Sequence, residues 1–282
     1  SYWHPLLGNL ISMSDSLITR PFGDTGIDVS PIGLGTVKLG RDQGVKYPNG
    51  FTIPNDKAAS HLIDLARDLG INLIDTAPAY GISEQRLGSL LKGQRQDWVI
   101  CSKVGEEFNN GDSSFDFSAK HTRFSIERSL QRLQTDFIDM VLVHSDGNDL
   151  NVIDQQDVLE ELLRCKQEGL IRAYGVSTKT VDGGLRAAEK TDAVMATFNL
   201  DYKDEKPVID YCEKNNKGLL IKKAFASGHI CLEGEDPVQA SMDFIFSHPG
   251  VSSAIVGTIN PKHLTANVAA VIKAIAKNTA AS

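Results

Sequence analysis

Four side chains in this 282-residue sequence could together deliver a proton to a carbonyl oxygen: Asp75, Tyr80, Lys103 and His144. A free tyrosine titrates at about 10, too weak an acid to serve a carbonyl well at neutral pH. A neighbouring ammonium favours the phenolate and lowers that value. Lys103 can supply the charge, Asp75 can hold Lys103 through a charged hydrogen bond, and His144 can fix a substrate oxygen in place. Singly, each residue has a plainer reading. Asp75 would cap a loop, Tyr80 would pack as a loop aromatic, and His144 would be a satisfied core histidine. Lys103 would be solvated, or would be the Schiff-base lysine of a barrel aldolase. Only a scaffold that gathers all four positions favours the joint chemistry.

The rest of the sequence describes such a scaffold. Residues 17–29, split by Gly23 and Gly26, read as a β-hairpin, and 31–36 (PIGLGT) as a first strand. Short apolar runs at 72–77, 98–102, 137–143, 171–176, 193–198, 219–222 and 251–256 supply the later strands. Helical spacing marks 56–70, which ends at Gly70, then 83–91 with Ser83 as its cap. It also marks 119–133, with apolar Phe124, Ile126, Leu130 and Leu133, and the stretches 157–169 and 180–190. Further helices are expected near 207–215, 237–247 and 261–276. Strict alternation of strand and helix implies a parallel sheet. Eight such units within this length favour an α/β fold closed as a (β/α)8 TIM barrel, preceded by the hairpin. No GxGxxG follows the first strand, which argues against an open dinucleotide-binding sheet. One domain is expected over 17–282, with 1–16 set apart as an N-terminal extension.

A barrel of this kind builds its active site at the C-terminal ends of its strands. Asp75 ends the second strand and Tyr80 follows in its loop, while Lys103 ends the third and His144 the fourth. All four would face one mouth from three consecutive strands.

Composition narrows the function. A net charge of −7 and a pI near 5.5 argue against nucleic-acid binding, which needs a concentrated basic surface. No apolar run approaches the roughly 18 residues of a membrane span. Cys101, Cys165, Cys212 and Cys231 form no CxxC pair and the histidines no HExxH, so no disulfide framework and no metal are expected. That usage fits a reducing cytoplasm. The partner implied is a small-molecule carbonyl or alcohol, and no pattern on the outer helices sets an oligomeric state.

The segments around the four residues are specific. Residues 72–81 (NLIDTAPAYG), then Ser83-Glu84-Gln85-Arg86-Leu87-Gly88, Cys101-Ser102-Lys103-Val104-Gly105 and Leu142-Val143-His144-Ser145 resemble the aldo-keto reductase family. Residues 20–36 (RPFGDTGIDVSPIGLGT), Gly175-Val176-Ser177 and 257–267 (GTINPKHLTAN) match it too, so the resemblance spans about 17 to 271. It implies that Asp75, Tyr80, Lys103 and His144 are the catalytic tetrad. It further implies a hydride transferred between a nicotinamide and a carbonyl carbon, with Tyr80 giving the proton.

A cofactor phosphate is expected at the loops after strands seven and eight, at Ser227, Gly228, Gly257 and Thr258, beside the helix opened by Asn260-Pro261. The resemblance sets Gly35, Thr36 and Val37 beside the cofactor, Ser177, Thr178 and Asn199 near the nicotinamide, and Asn267 at the adenine. It also marks departures. Met195 stands where a glutamine usually holds the carboxamide, and Lys222 where an aromatic usually stacks. Gly257 and His263 stand where Lys and Arg often hold a 2′-phosphate. NADP(H) is favoured and NAD(H) stays open, with Lys222, Lys223 or Lys262 as substitute cations.

Substrate choice would rest on the loops 37–55, 105–118 and 145–154, with Tyr47, Phe51, Phe108 and Phe115 as apolar contacts. Asp112, Asp146 and Asp149 would be polar contacts there. Two other functions share the fold. One is a nicotinamide-binding regulatory subunit, disfavoured by the intact tetrad. The other is the Lys103 aldolase, which leaves Tyr80 and Asp75 unexplained.

Overall fold

The computed structural model describes residues 16–44, 50–225 and 236–281. Its strands run β1 (Arg20–Pro21), β2 (Asp28–Val29), β3 (Ile32–Gly35), β4 (Leu73–Asp75), β5 (Val99–Val104), β6 (Glu106–Asn109) and β7 (Asp112–Phe115). They continue as β8 (Ile138–His144), β9 (Ile171–Ser177), β10 (Ala193–Thr197), β11 (Gly218–Lys222) and β12 (Ser253–Val256). Eight of these, β3-β4-β5-β8-β9-β10-β11-β12, pair in parallel and close into a barrel, β12 joining back to β3. The expected (β/α)8 barrel and its leading hairpin, β1 with β2, are both present.

Helices return the chain between strands: α1 (Val37–Gly40) and α2 (Asp56–Asp68) after β3, α3 (Ser83–Leu90) after β4, and α4 (Ala119–Leu133) after the β6–β7 hairpin. Next come α5 (Asp149–Asp154), α6 (Val158–Gln167), α7 (Val181–Lys190), α8 (Lys206–Asn215), α9 (Pro237–Phe246) and α10 (Pro261–Ala281). Several start where a short polar side chain satisfies an orphan N–H. Asn55 accepts from Ala58 N, Ser118 from His121 N, and Thr180 from Gly183 N. No helix among the described residues is long and apolar enough to cross a membrane.

Register explains how the barrel makes a polar end. Side chains alternate between the two faces of a strand, so residues two apart share the barrel interior. Leu73, Val99, Cys101, Met140, Leu142, Ala173, Ala193, Met195 and Leu220 fill that interior as one buried apolar cluster. Asp75 pairs with Cys101, Lys103 with Leu142, and His144 with Ser177. Asp75, Lys103, His144 and Lys222 are therefore the next inward positions above the apolar layers, at the C-terminal rim. The opposite end is plugged by Phe22, Ile27 and Val29 of the hairpin. Phe22 lies so close to Gly218 that a Cβ there would sit 2.4 Å from its ring. The outward positions, including Ile74, Ile100, Val141 and Val143, join the helices in a second core, which is why these strands read as continuous apolar runs.

Five local expectations change. Ser83 is the first residue of α3, without a side-chain cap bond; its hydroxyl instead bridges Thr36 and Thr76. Phe124 faces outward at 53% exposure, where Arg128 and His121 cover its ring. The loops expected at 37–55 and 145–154 contain the short helices α1 and α5, and 105–118 contains the β6–β7 hairpin. Each is a segment of mixed polarity, whose local pattern is too short to show a period.

Candidate active site

The rim gathers the four residues. Lys103 is fully buried and donates to Asp75 Oδ1 and, at 2.9 Å, to the Thr76 carbonyl oxygen. Its Nζ stands 5.6 Å from the centre of the Tyr80 ring, and the Tyr80 and His144 rings meet edge to face at 5.7 Å. Thr76 is held in turn. Ser83 Oγ lies 2.8 Å from Thr76 Oγ1 and 2.7 Å from Thr36 Oγ1, and Thr36 Oγ1 donates to the Asp75 carbonyl at 2.8 Å. A buried hydroxyl chain thus ties the ends of β3 and β4 to the start of α3 and fixes the Asp75–Lys103 pair.

Electrostatics differ from the simple expectation at Tyr80. Burial pushes its pKa above the ordinary value and outweighs Lys103, which pulls it down as expected; Asp75, Cys101 and Glu106 add to the rise. The phenol therefore stays protonated at neutral pH. For Lys103, burial works against the charge, but Asp75, Cys101 and Tyr80 more than offset it and leave the ammonium strongly held. His144 is lowered well below 6.5 by burial first and then by Lys103, Lys222, Lys179 and Arg41, so its imidazole is neutral.

Several groups at the mouth had no sequence signal. Glu106 follows Gly105, which adopts φ +106° and turns the chain back toward the rim. Its Oε2 lies 3.3 Å from His144 Nδ1. Arg41 donates to the Gln43, Ala79 and Gly44 carbonyls, and its guanidinium stacks 3.5 Å over the Phe108 ring. Asp149, expected at the rim, is instead buried and accepts from Ser145 Oγ, Lys179 N, Thr180 N and Thr180 Oγ1, which pins the loop after β9. Asp146 accepts from Asn148 N, and Asp112 lies at the exposed end of the hairpin. Among the described residues no group of three or more His, Cys, Asp or Glu could hold a metal ion.

Residues 31–231 match the model of the Aldo/keto reductase family. The chain belongs to that family.

A solved structure of an aldo-keto reductase from Pseudomonas aeruginosa, described as putative, is 60% identical, with a TM-score of 0.85 over 93% of this chain and 97% of that one. Among curated relatives, the uncharacterized oxidoreductase YqkF of Bacillus subtilis is 26% identical over 291 residues, covering 89% of this chain and 90% of its own length. L-galactose dehydrogenase of Arabidopsis thaliana is 26% identical over 292 residues, covering 89% and 87%. Enzymes of this family carry out nicotinamide-dependent carbonyl oxidoreduction, and the chain is an oxidoreductase of that kind.

The residues that the family resemblance assigns to the cofactor are unevenly free to bind one. Ser177 Oγ and the Thr178 carbonyl accept from Lys222 Nζ at 2.9 and 2.8 Å, and Lys222 forms no ion pair among the described residues. Burial lowers Lys222 to about 8, with Lys223 and Lys179 adding to the fall and Glu205 opposing it. Thr178 Oγ1 is buried without a partner. Asn267 is buried on α10, and Gly35 closes β3 beside Gly257. These groups suit a polar ligand carrying an amide and phosphates. The other side chains are engaged. Thr36 spends its hydroxyl on Asp75 and Ser83. Asn199 accepts from Asp201 N and Tyr202 N and donates to the Lys223 carbonyl. Val37 opens α1. Thr258 Oγ1 accepts from Asn260 N, and Asn260 Oδ1 caps Lys262 N and His263 N. The amides expected to be free for a phosphate at the start of α10 are therefore already capped, and His263 and Lys262 offer exposed side chains instead. Met195 lies in the interior apolar layer. Ser227, Gly228 and Tyr47 fall outside the described residues.

Proposed function

We propose that this enzyme exchanges a hydride between NADP(H) and a small aldehyde, ketone or alcohol, with Tyr80 as the proton donor in the reducing direction. The observation that supports it most is the Lys103 ammonium, buried between Asp75 and the Thr76 carbonyl and 5.6 Å from the Tyr80 ring. When bound, the dihydronicotinamide supplies the hydride. As the carbonyl carbon is reduced, charge grows on its oxygen and Tyr80 gives its proton there. The phenolate left behind is stabilised by Lys103, whose charge Asp75 maintains. His144, neutral and beside Tyr80, orients the substrate. Ser177, Thr178, Lys222 and Asn267 would hold the cofactor, with Gly35 and Gly257 allowing close approach. Exposed Lys262 at the start of α10 favours the 2′-phosphate form, against the departures at Gly257 and His263, and NAD(H) is the competitor to measure. A Schiff-base role for Lys103 needs a neutral amine, and Asp75 keeps this one charged. A cytoplasmic setting accords with Cys101, Cys165 and Cys212, all free and buried.

Tyr80→Phe tests the assignment. Carbonyl reduction should fall by several orders of magnitude while NADPH affinity stays within about twofold, because only the proton donor is removed. Affinity is best read from the fluorescence of the dihydronicotinamide itself, since Trp98 precedes β5 at the far end of the barrel. A variant that keeps full turnover would show that another group gives the proton.

A further inference from the structure

We propose that Lys222 is a reactive amine at the barrel mouth that captures small aldehydes as a reversible imine, a covalent site distinct from Tyr80 and Lys103. This goes beyond the hydride-transfer reading and needs no nicotinamide.

The geometry starts from register. Side chains two apart on a strand share a face. Leu220 fills the barrel interior, so Lys222, the last residue of β11, points inward as well. Its side chain passes the end of β10, which lies between β11 and β9. Nζ then donates to Ser177 Oγ at 2.9 Å and to the Thr178 carbonyl at 2.8 Å. The two barrel lysines differ in access. Lys103 is sealed at 1% exposure, whereas Lys222 keeps part of its surface open. Apolar layers lie below the rim and helices outside it, so an inward rim residue is open only toward the mouth.

An imine forms when an amine lone pair attacks the aldehyde carbon, so the amine must first be neutral. A lysine withdrawn from water beside another cation is activated in this way. Asp75 keeps Lys103 charged and excludes it. Lys222 forms no ion pair among the described residues, and both of its acceptors are uncharged. A neutral amine keeps both bonds with its two hydrogens. Its lone pair takes the direction of the third ammonium hydrogen, which has no partner among the described residues.

The surrounding groups favour that form. Burial lowers Lys222 to about 8, Lys223 at the end of β11 and Lys179 after β9 add to the fall, and Glu205 and Asp149 oppose it. Glu205, at the start of α8, is itself shifted toward its neutral form by burial. Asp149, on α5, is committed to Ser145, Lys179 N and Thr180. His144, from β8, is neutral. As the carbon–nitrogen bond forms, both amine hydrogens leave with the carbonyl oxygen as water, and nothing is oxidised or reduced.

The test is trapping with propanal and cyanoborohydride, which fixes imines as secondary amines, on the full chain without nicotinamide. Peptide mass mapping then locates the label. At about pH 7 an amine of pKa about 8 is about 10% neutral, against under about 0.1% for an ordinary exposed lysine at about 10.4. Lys222 should be labelled at least roughly tenfold faster than exposed Lys57 and Lys120. That lead should vanish by about pH 10, where all three amines are largely neutral. Lys222→Met should lose the fast adduct and keep the slow ones. A first label on Lys103, a Lys222 no faster than the exposed lysines, a lead independent of pH, or a fast adduct surviving in Lys222→Met would each overturn the proposal. Neither Tyr80 nor a cofactor takes part, so failure of the hydride-transfer reading leaves the result unchanged.

Discussion

Replacing Lys103 by methionine isolates the electrostatic core of the proposed mechanism. With Lys103 Nζ 5.6 Å from the Tyr80 ring centre, a unit charge at an effective dielectric near 20 stabilises a phenolate by about 3 kcal/mol. Full expression of that energy in the transition state is worth about two orders of magnitude in rate, and a partly formed charge proportionately less. The substitution also strands Asp75, and a buried charge stripped of its partner costs about 3–5 kcal/mol of stability. Asp75→Asn combined with Lys103→Met removes that second effect while keeping the volume. The assay is single-turnover oxidation of NADPH at saturating carbonyl, with cofactor affinity measured separately. Hydride transfer should be about 10- to 100-fold slower in the double variant than in Asp75→Asn alone, because Asp75 itself opposes the phenolate and the comparison isolates Lys103. A double variant within about threefold of Asp75→Asn would refute the idea that Lys103 stabilises the phenolate.

Lys222 and Gly105 give further tests. Lys222 falls from 10.5 to about 8 in the folded chain. Between those values the unfolded chain keeps a proton that the folded chain has released, so stability rises with pH across that window. Lys222→Met should flatten the rise seen in urea denaturation between about pH 7 and about pH 10; an identical rise in both proteins would place the titration elsewhere. Gly105→Ala puts a Cβ 2.6 Å from Phe117 at φ +106°, and should cost about 1–3 kcal/mol of stability. Unchanged denaturation midpoints would mean that the hairpin tolerates the strain.

Much of the fold was legible because its signals are local. Strands such as 138–144 are apolar on both faces, helices begin at Asn55, Ser118 and Thr180, and strand and helix alternate without exception through the barrel. Asp75, Lys103 and His144 could be placed from sequence because each is the first polar inward residue after an apolar run. Period-two alternation and parallel register then carry them to the same rim.

Tertiary structure decided what depends on distance and burial. The pKa of Tyr80 goes up rather than down because burial outweighs Lys103, and burial is a property of the closed barrel, not of neighbours along the chain. Glu106 meets His144 only because Gly105 turns the hairpin over β8, across 38 positions of sequence. Asp149, Asn199, Thr36 and Asn260 have side chains suited to a ligand, yet each is consumed by nearby backbone donors and hydroxyls that become neighbours only on folding. The sequence by itself determined the barrel and the identity of the polar rim, since both follow from periodicity. Which rim groups remain free to act is settled by hydrogen-bond partners and by the cost of buried charge, and those exist only in three dimensions.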